Sequence, residues 1–219
     1  MTRRHFDPTL YLVTDPELAR GRVLTDLVAA AVRGGVTLVQ LRDKHAGGRA
    51  LLETARALKA VLDPRGVPLI VNDRADVAHA ARAGCHVGQS DLPAEAARAI
   101  LGPDAILGVS IDAVEQAHPI DPALVDYVAF GPFAATATKP DAGAPIGMDG
   151  LSAVRRQMTT LPLIAIGGID ARNVAAAVRA GADGVAVVSA IMVAADPAAA
   201  SRELRAAIDA TKAEVEKAI

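Results

Sequence analysis

Val36-Thr37-Leu38-Val39-Gln40-Leu41-Arg42 is a short run of aliphatic and β-branched residues that ends in a glutamine and an arginine. Residues 49–62 follow it, rich in alanine and leucine at helical period. The pair predicts one strand followed by one helix. An apolar strand followed by a helix is the repeating unit of a parallel sheet covered by helices. This stretch therefore indicates an α/β fold.

The same unit repeats eight times along the chain. Eight parallel strands close into a barrel, which leaves no edge strand exposed. The predicted strands are residues 10–14, 36–42, 67–72, 85–88, 105–110, 127–131, 163–167 and 185–188. The predicted helices are residues 24–33, 49–62, 75–83, 94–101, 113–118, 151–159, 173–180 and 197–217. We therefore expect a (β/α)₈ TIM barrel.

The chain has 219 residues and shows no linker between these units. That length suits one small barrel, so we expect a single (β/α)₈ domain over residues 1–219. The competing architecture is an open dinucleotide-binding sheet, which places Gly-x-Gly-x-x-Gly after its first strand. Tyr11-Leu12-Val13-Thr14-Asp15 contains no glycine at that point, which favours the barrel.

Composition excludes several classes of partner. The net charge is −2 and aromatic residues make up 2 % of the chain, so we expect no nucleic-acid partner. The apolar stretch between Asp183 and Asp196 is too short to cross a membrane, and Phe6-Asp7-Pro8 stands where a signal peptide would have its apolar region. The single cysteine, Cys85, fits a reducing compartment. We expect a soluble cytoplasmic protein, and the sequence leaves a homodimer open.

The end of the second predicted strand carries Gln40, Arg42 and Lys44 at spacing i, i+2, i+4. These three share one pleat face, which is the inner face of the barrel if Leu38 points inward. Active sites of such barrels lie at the carboxyl ends of the strands, and two cations there need an anion. A structural salt bridge with a loop acid is the alternative.

Two carboxylates follow the next two strands, Asp73 and Asp91. Because no His/Cys set stands at ligand spacing, oxygen donors favour a hard cation such as Mg²⁺, which uses one or two carboxylates and substrate phosphates. Either aspartate alone could instead cap the helix that follows it.

Groups that donate hydrogen bonds to a phosphate are expected in the last three loops. Thr136, Thr138 and Lys139 offer hydroxyl and ammonium groups after the sixth strand. Barrels of this type often bind phosphate after strands seven and eight, where Gly168 and Ser189 stand. The residues together predict two phosphorylated substrates and a divalent metal.

Five motifs resemble the thiamine phosphate synthase family, in the order of that family and over roughly residues 11–191. They are Leu38-Val39-Gln40-Leu41-Arg42-Asp43-Lys44, Val71-Asn72-Asp73-Arg74-Ala75-Asp76, His86-Val87-Gly88-Gln89-Ser90-Asp91-Leu92-Pro93, Gly108-Val109-Ser110 and Ala165-Ile166-Gly167-Gly168-Ile169. Two departures are Cys85 before the His-Val-Gly motif and Ala134-Ala135 in the sixth loop, and they bear on local packing and on the shape of the pocket wall near the thiazole.

The resemblance implies roles for individual residues. The pyrimidine pyrophosphate would bind Gln40, Leu41, Arg42, Asp43, Lys44, Asn72, Ser110 and Lys139. The thiazole phosphate would bind Thr136, Ala137, Thr138, Gly168, Val188 and Ser189. Asp73 and Asp91 would hold Mg²⁺, and Arg42, Lys44, Lys139 and Ser110 would act in catalysis.

The implied reaction is the condensation of 4-amino-2-methyl-5-(diphosphomethyl)pyrimidine with hydroxyethylthiazole phosphate or its carboxylate. Pyrophosphate would leave first, and the resulting carbocation would be captured by the thiazole nitrogen. Two alternatives stay open: a related thiazole tautomerase or ligand-binding regulator, and a sugar-phosphate isomerase or epimerase barrel. The tautomerase branch usually carries a histidine just after the serine of strand five, where this chain has Ser110-Ile111-Asp112.

Overall fold

A computed structural model of the protein describes residues 6–136 and 143–218, and it contains a closed barrel of eight parallel strands in sequential order. The strands are β1 (Leu10–Val13), β2 (Leu38–Leu41), β3 (Leu69–Asn72), β4 (Gly84–Val87), β5 (Leu107–Ile111), β6 (Tyr127–Phe130), β7 (Leu163–Ile166) and β8 (Gly184–Val187). The helices are α1 (Pro16–Ala19), α2 (Leu24–Arg33), α3 (Gly48–Leu62), α4 (Ala75–Ala81), α5 (Ala94–Leu101), α6 (Gly147–Gln157), α7 (Val174–Arg179), α8 (Ser189–Met192) and α9 (Pro197–Lys217). The predicted barrel is confirmed.

Four elements differ from the expectation, and one of them is the unpredicted 3₁₀ helix Asp63–Arg65 after α3. Residues 113–118 form a short 3₁₀ helix, Val114–Ala117, in place of an α-helix. The short helices α1 and α8 were not predicted. Asp15 accepts hydrogen bonds from two N–H groups of the first turn of α1, and Pro16 begins the helix. This Asp-Pro pair is a helix-start signal that the hydrophobic pattern alone does not register, because α1 is only one turn long.

The pleat of the strands sorts their side chains into two cores. Tyr11, Leu38, Ile70, Tyr127 and Ile164 pack together inside the barrel. The alternate residues pack between the sheet and the helices. Since Leu38 points inward, the residues two positions further along β2 also face the interior, as the sequence predicts.

Two aspartates at the amino ends of strands tie the lower rim together. Asp126, before β6, accepts from the guanidinium of Arg98 on α5 and from the N–H of Leu107, each at 2.8 Å. Asp183, before β8, accepts from Arg155 on α6 and from the N–H of Leu163, each at 2.7 Å. Asp126 therefore joins α5 to β5, and Asp183 joins α6 to β7. Both contacts lie at the end of the barrel opposite the predicted site.

The barrel interior has room for Tyr127 because its neighbour on β5 is Gly108. The two residues are register partners. A Cβ atom at position 108 would lie 2.0 Å from Cζ of Tyr127 and 2.4 Å from its hydroxyl oxygen. No side chain fits there without moving the ring, so the glycine inside this strand is required by the packing of the tyrosine.

No helix among the described residues is both long enough and apolar enough to cross a membrane.

Gly108→Ala is expected to destabilise the protein by about 1–3 kcal/mol, because the added methyl overlaps a rigid, fully buried ring. Urea unfolding measures the loss. Gly47→Ala is the matched control, since a Cβ atom at position 47 meets nothing within 4 Å and Gly47 has an ordinary φ of −66°. Equal stability of the two variants would contradict the packing described above.

Candidate functional site

A cavity of about 520 Å³ opens at the carboxyl ends of the strands, which is where barrels of this type carry their sites. Most of the residues predicted to form the site line it. They are Gln40, Arg42, Lys44, Asn72, Asp73, Asp91, Ser110, Thr136, Gly168, Val188 and Ser189. The structure thus brings the cation pair, the acid pair and the expected phosphate loops around one opening.

Strand β2 delivers the cations to this opening. Arg42 lies directly after the strand, and its N–H donates to the hydroxyl of Thr14 at 3.1 Å, which fixes the strand end against β1. The guanidinium lies 3.9 Å from Asp15, and both side chains are partly exposed. A long, partly solvated pair of this kind stabilises a protein little. It orients Arg42 and leaves most of its donors available to an anion.

Two residues carried over from the family motif do not line the cavity. Leu41 is 1 % exposed and belongs to the core between sheet and helices, because it alternates with Gln40 along the strand. Asp43 turns away to accept from the N–H groups of His45 and Ala46, both at 3.0 Å. Leu41 supports the barrel wall and Asp43 stabilises the loop, so the assignment of these two residues to substrate contacts stays a prediction.

The carboxylates of Asp73 and Asp91 come together at the mouth. Asp73 follows β3 with a left-handed backbone (φ 62°), and its N–H donates to the carbonyl of His86 at 2.8 Å. Asp91 accepts from the N–H of Gly88 at 2.8 Å, at the end of β4. The two side chains are close enough to share a hydrogen bond. Each is therefore held by its own strand end and directed toward the other.

The helix-cap alternative for these aspartates is wrong. The caps of α4 and α5 are Arg74 and Pro93, and neither helix start has a side-chain cap. Burial, together with the hydrogen bond and negative charge of Asp91, raises the pKa of Asp73 to about 6. Lys44 and Arg42 oppose this shift without cancelling it. The pair is thus poised to take up either a proton or a cation.

The donor set fits a hard divalent cation. Within residues 6–136 and 143–218, no group of three or more His, Cys, Asp and Glu side chains is placed to hold a metal. Two carboxylates alone suit Mg²⁺, which keeps several waters and completes its shell with substrate phosphates. Asp73 and Asp91 are the residues that would hold it.

The last three loops form the opposite wall. Gly167 and Gly168 have φ values of 93° and 66°. A Cβ atom on Gly168 would lie 2.5 Å from the carbonyl oxygen of Ala134, so the seventh loop can pack against the sixth only with glycine at this position. Asn173 donates to the carbonyl of Gly168 at 2.7 Å and holds this arrangement. The predicted residues Ala137, Thr138 and Lys139 lie outside the described residues.

Sequence reasoning missed the floor of the cavity. Tyr11 and His86 line it, and Tyr127 lies beneath in hydrogen-bond contact with both. Burial lowers the pKa of His86 to about 4 and raises the pKa of both tyrosines, so all three are neutral at physiological pH. Gly108 inside a strand was the available signal, because it marks a site where a bulky partner approaches closely.

Comparison with known proteins gives consistent matches. Residues 10–191 match the family model described as thiamine monophosphate synthase. A thiamine-phosphate synthase from Xanthobacter autotrophicus is 56 % identical over 94 % of this chain and 98 % of that protein. One from Azorhizobium caulinodans is 51 % identical over the same shares. The solved thiamine phosphate pyrophosphorylase from Pyrococcus furiosus has a TM-score of 0.85 at 33 % identity, over 94 % of this chain and 97 % of that one.

Divalent-cation binding is expected to weaken as the pH falls. Because the pKa of Asp73 is raised to about 6, its proton competes with the cation below that pH, and the affinity should drop up to tenfold per pH unit there. Mn²⁺ is the probe, with the free ion counted by electron paramagnetic resonance between pH 8 and pH 5. In Asp91→Asn the charge that raises this pKa is gone, so binding should be weaker and its pH dependence should move to lower pH. An affinity constant across this range would contradict the paired-carboxylate site.

Proposed function

This chain is an enzyme of the thiamine monophosphate synthase family, and we propose that its barrel cavity joins 4-amino-2-methyl-5-(diphosphomethyl)pyrimidine to hydroxyethylthiazole phosphate or its carboxylate, with release of pyrophosphate. One observation carries the proposal. Two cations and two converging carboxylates surround a cavity whose opposite wall is a glycine-lined loop pair. A diphosphate with its metal fits the cations and carboxylates, and a second phosphate fits the glycine-lined wall.

The rim of the cavity handles the leaving diphosphate. Negative charge builds on the leaving oxygen as its bond to the pyrimidine methylene breaks. Arg42 and Lys44 lie on the side of the cavity where Asp73 also lies, so their positive charges would stabilise the leaving oxygen there. We assign Lys139 to the same task from the family resemblance. Mg²⁺ bound by Asp73 and Asp91 would act as a Lewis acid and neutralise part of the charge of the diphosphate.

The thiazole phosphate is assigned to the opposite wall. Gly168, Val188 and Ser189 line the cavity there, at the ends of β7 and β8. Glycine lets an anion approach the backbone without a side chain between them. Thr136 lines the same cavity, and Ala137 and Thr138 follow it in the chain. This placement puts the thiazole across the opening from the diphosphate.

The chemistry needs no protein nucleophile. Loss of pyrophosphate leaves a carbocation on the pyrimidine methylene, and the thiazole nitrogen captures it. The residues then have to position both rings and exclude water from the cation. Ala129, Ile166, Val187 and Ala186 supply an apolar surface in the cavity for this purpose.

The location and assembly are proposals of the same kind. The only cysteine, Cys85, is buried and unpaired, which suits a reducing cytoplasm. We propose a cytoplasmic enzyme acting on small phosphorylated substrates, with a homodimer as the assembly to test by light scattering.

The purified protein is expected to release pyrophosphate only when both substrates and Mg²⁺ are present. Asp91→Ala should lower this rate by at least about a hundredfold, because it removes one of the two carboxylates placed to hold the metal. Asp104→Ala is the matched control, since Asp104 is exposed in the turn before β5 at the opposite end of the barrel. No release by the parent protein would exclude the synthase and favour the tautomerase or regulator. Full pyrophosphate release by Asp91→Ala without metal would contradict the assignment of Asp91 to the metal.

Lys139→Ala is expected to slow the chemical step more than it weakens binding of the thiazole phosphate, because an ammonium that stabilises the leaving diphosphate acts mainly in the transition state. Single-turnover rates and equilibrium binding of the thiazole phosphate separate the two effects. A normal single-turnover rate with weakened thiazole phosphate binding would place Lys139 at the other phosphate.

A further inference from the structure

Five side chains form an unbroken row of hydrogen bonds across the floor of the cavity, and we call this row the relay. Gln40 Nε2 donates to Tyr11 Oη at 2.7 Å, and Tyr11 Oη lies 2.9 Å from Tyr127 Oη. Tyr127 Oη lies 2.9 Å from His86 Nδ1, and His86 Nε2 lies 2.7 Å from Ser110 Oγ. The relay joins β2 to β5 through β1, β6 and β4. Its two ends, Gln40 and Ser110, both line the cavity.

Each hydroxyl in the relay has one proton to donate, so the bonds cannot be oriented independently. When Gln40 donates to Tyr11, the proton of Tyr11 goes to Tyr127, and the proton of Tyr127 goes to His86 Nδ1. His86 then carries its proton on Nε2 and donates to Ser110, whose own O–H is left for the cavity. The reverse orientation is equally complete only if Gln40 presents its carbonyl oxygen to Tyr11. A mixed orientation leaves either a buried proton without an acceptor or two buried acceptor atoms in contact with no proton between them, and both are costly.

The charges at the rim select between the two orientations. With Nε2 on Tyr11, the Oε1 atom of Gln40 has no partner among the described residues, yet it is not sealed from solvent. It therefore opens into the cavity, on the face of β2 that also carries Arg42. A carbonyl oxygen on the face that carries Arg42 is electrostatically favourable, whereas an NH₂ group there would direct its donors toward the side of a cation. The placement of the Gln40 amide in the structure thus agrees with the first orientation.

We propose that the relay fixes the orientation of both its ends, so that Gln40 turns its carbonyl oxygen toward the substrate and Ser110 keeps its O–H proton to donate to the substrate. Tyr11, Tyr127 and His86 are then positioning residues that act through these two. The assignment of the substrate's pyrimidine ring to this floor rests on the proposed function. The 4-aminopyrimidine has one hydrogen-bond donor, its amino group, so that group faces Gln40. A 4-oxo pyrimidine would place a carbonyl there, against another carbonyl.

The first test is the position of the proton on His86, read from the ¹⁵N spectrum of the histidine-labelled protein without substrates. We expect Nε2–H, with the signals assigned by their loss in His86→Gln. In Gln40→Glu at pH 8 the carboxylate can only accept from Tyr11, which reverses every bond of the relay. The proton on His86 should therefore move to Nδ1. Nδ1–H in the parent protein, or an unchanged tautomer in Gln40→Glu, would overturn the proposal.

The second test is discrimination between the 4-amino and the 4-oxo pyrimidine pyrophosphates. Tyr11→Phe keeps the ring but releases the amide of Gln40, which can then turn its NH₂ group to a carbonyl. The ratio of kcat/KM for the amino over the oxo compound is expected to fall about tenfold or more relative to the parent protein. Because the same ratio is compared between proteins, the lower intrinsic reactivity of the oxo compound cancels. An unchanged ratio would contradict the proposal.

Thr37→Val is the matched control for the loss of a hydroxyl. Thr37 exchanges hydrogen bonds with the backbone of Leu10 at the amino end of the barrel, away from the relay. The Thr37→Val variant should leave both the ratio of kcat/KM values and the tautomer of His86 unchanged. Thermal melting of all variants measures their stability separately. If the parent protein makes no product, the proposed function fails, while the tautomer experiment still decides whether the relay has the stated orientation.

Discussion

The pleat of eight strands in a closed barrel decides both what is buried and what reacts. Alternate residues of each strand are confined to an interior barely wide enough to be filled by side chains. At the lower level these residues are apolar, as with Leu38 and Ile70. Two positions further along the same strands they become Gln40 and Asn72, which line the cavity. The side chains of the site are therefore held in place by strands whose neighbouring residues pack in the core.

Patterns with a local cause could be predicted from the sequence. The alternation along β2 correctly placed Gln40 with Arg42 on the inner face. The same alternation places Leu41 on the outer face of the strand, in the core between sheet and helices. The ends of the elements could not be predicted from the pattern because they depend on tertiary pairing. The hydrogen-bonded ladder of β2 begins at Leu38, although the β-branched run starts two residues earlier.

Contacts across the barrel could not be predicted. Tyr11 and Tyr127 are 116 residues apart, and no periodicity encodes their hydroxyl contact. The choice between helix cap and metal ligand for Asp73 also required coordinates, since an aspartate before a helix has the same local sequence in either role. Its left-handed backbone turns the carboxylate toward Asp91, a result of packing between neighbouring strand ends.

Charge is distributed between the rim and the floor for a physical reason. Lys44 is exposed, and Arg42 and the two aspartates are partly exposed, so the charged groups at the rim remain within reach of a diphosphate that enters from solvent. The floor is largely buried, and burial keeps His86 and the tyrosines neutral. A neutral floor is poorly suited to stabilise a leaving anion, but it can orient an uncharged ring through the direction of its hydrogen bonds. The two halves of the reaction, departure of the diphosphate and placement of the ring, are thus served by different layers of the same strands.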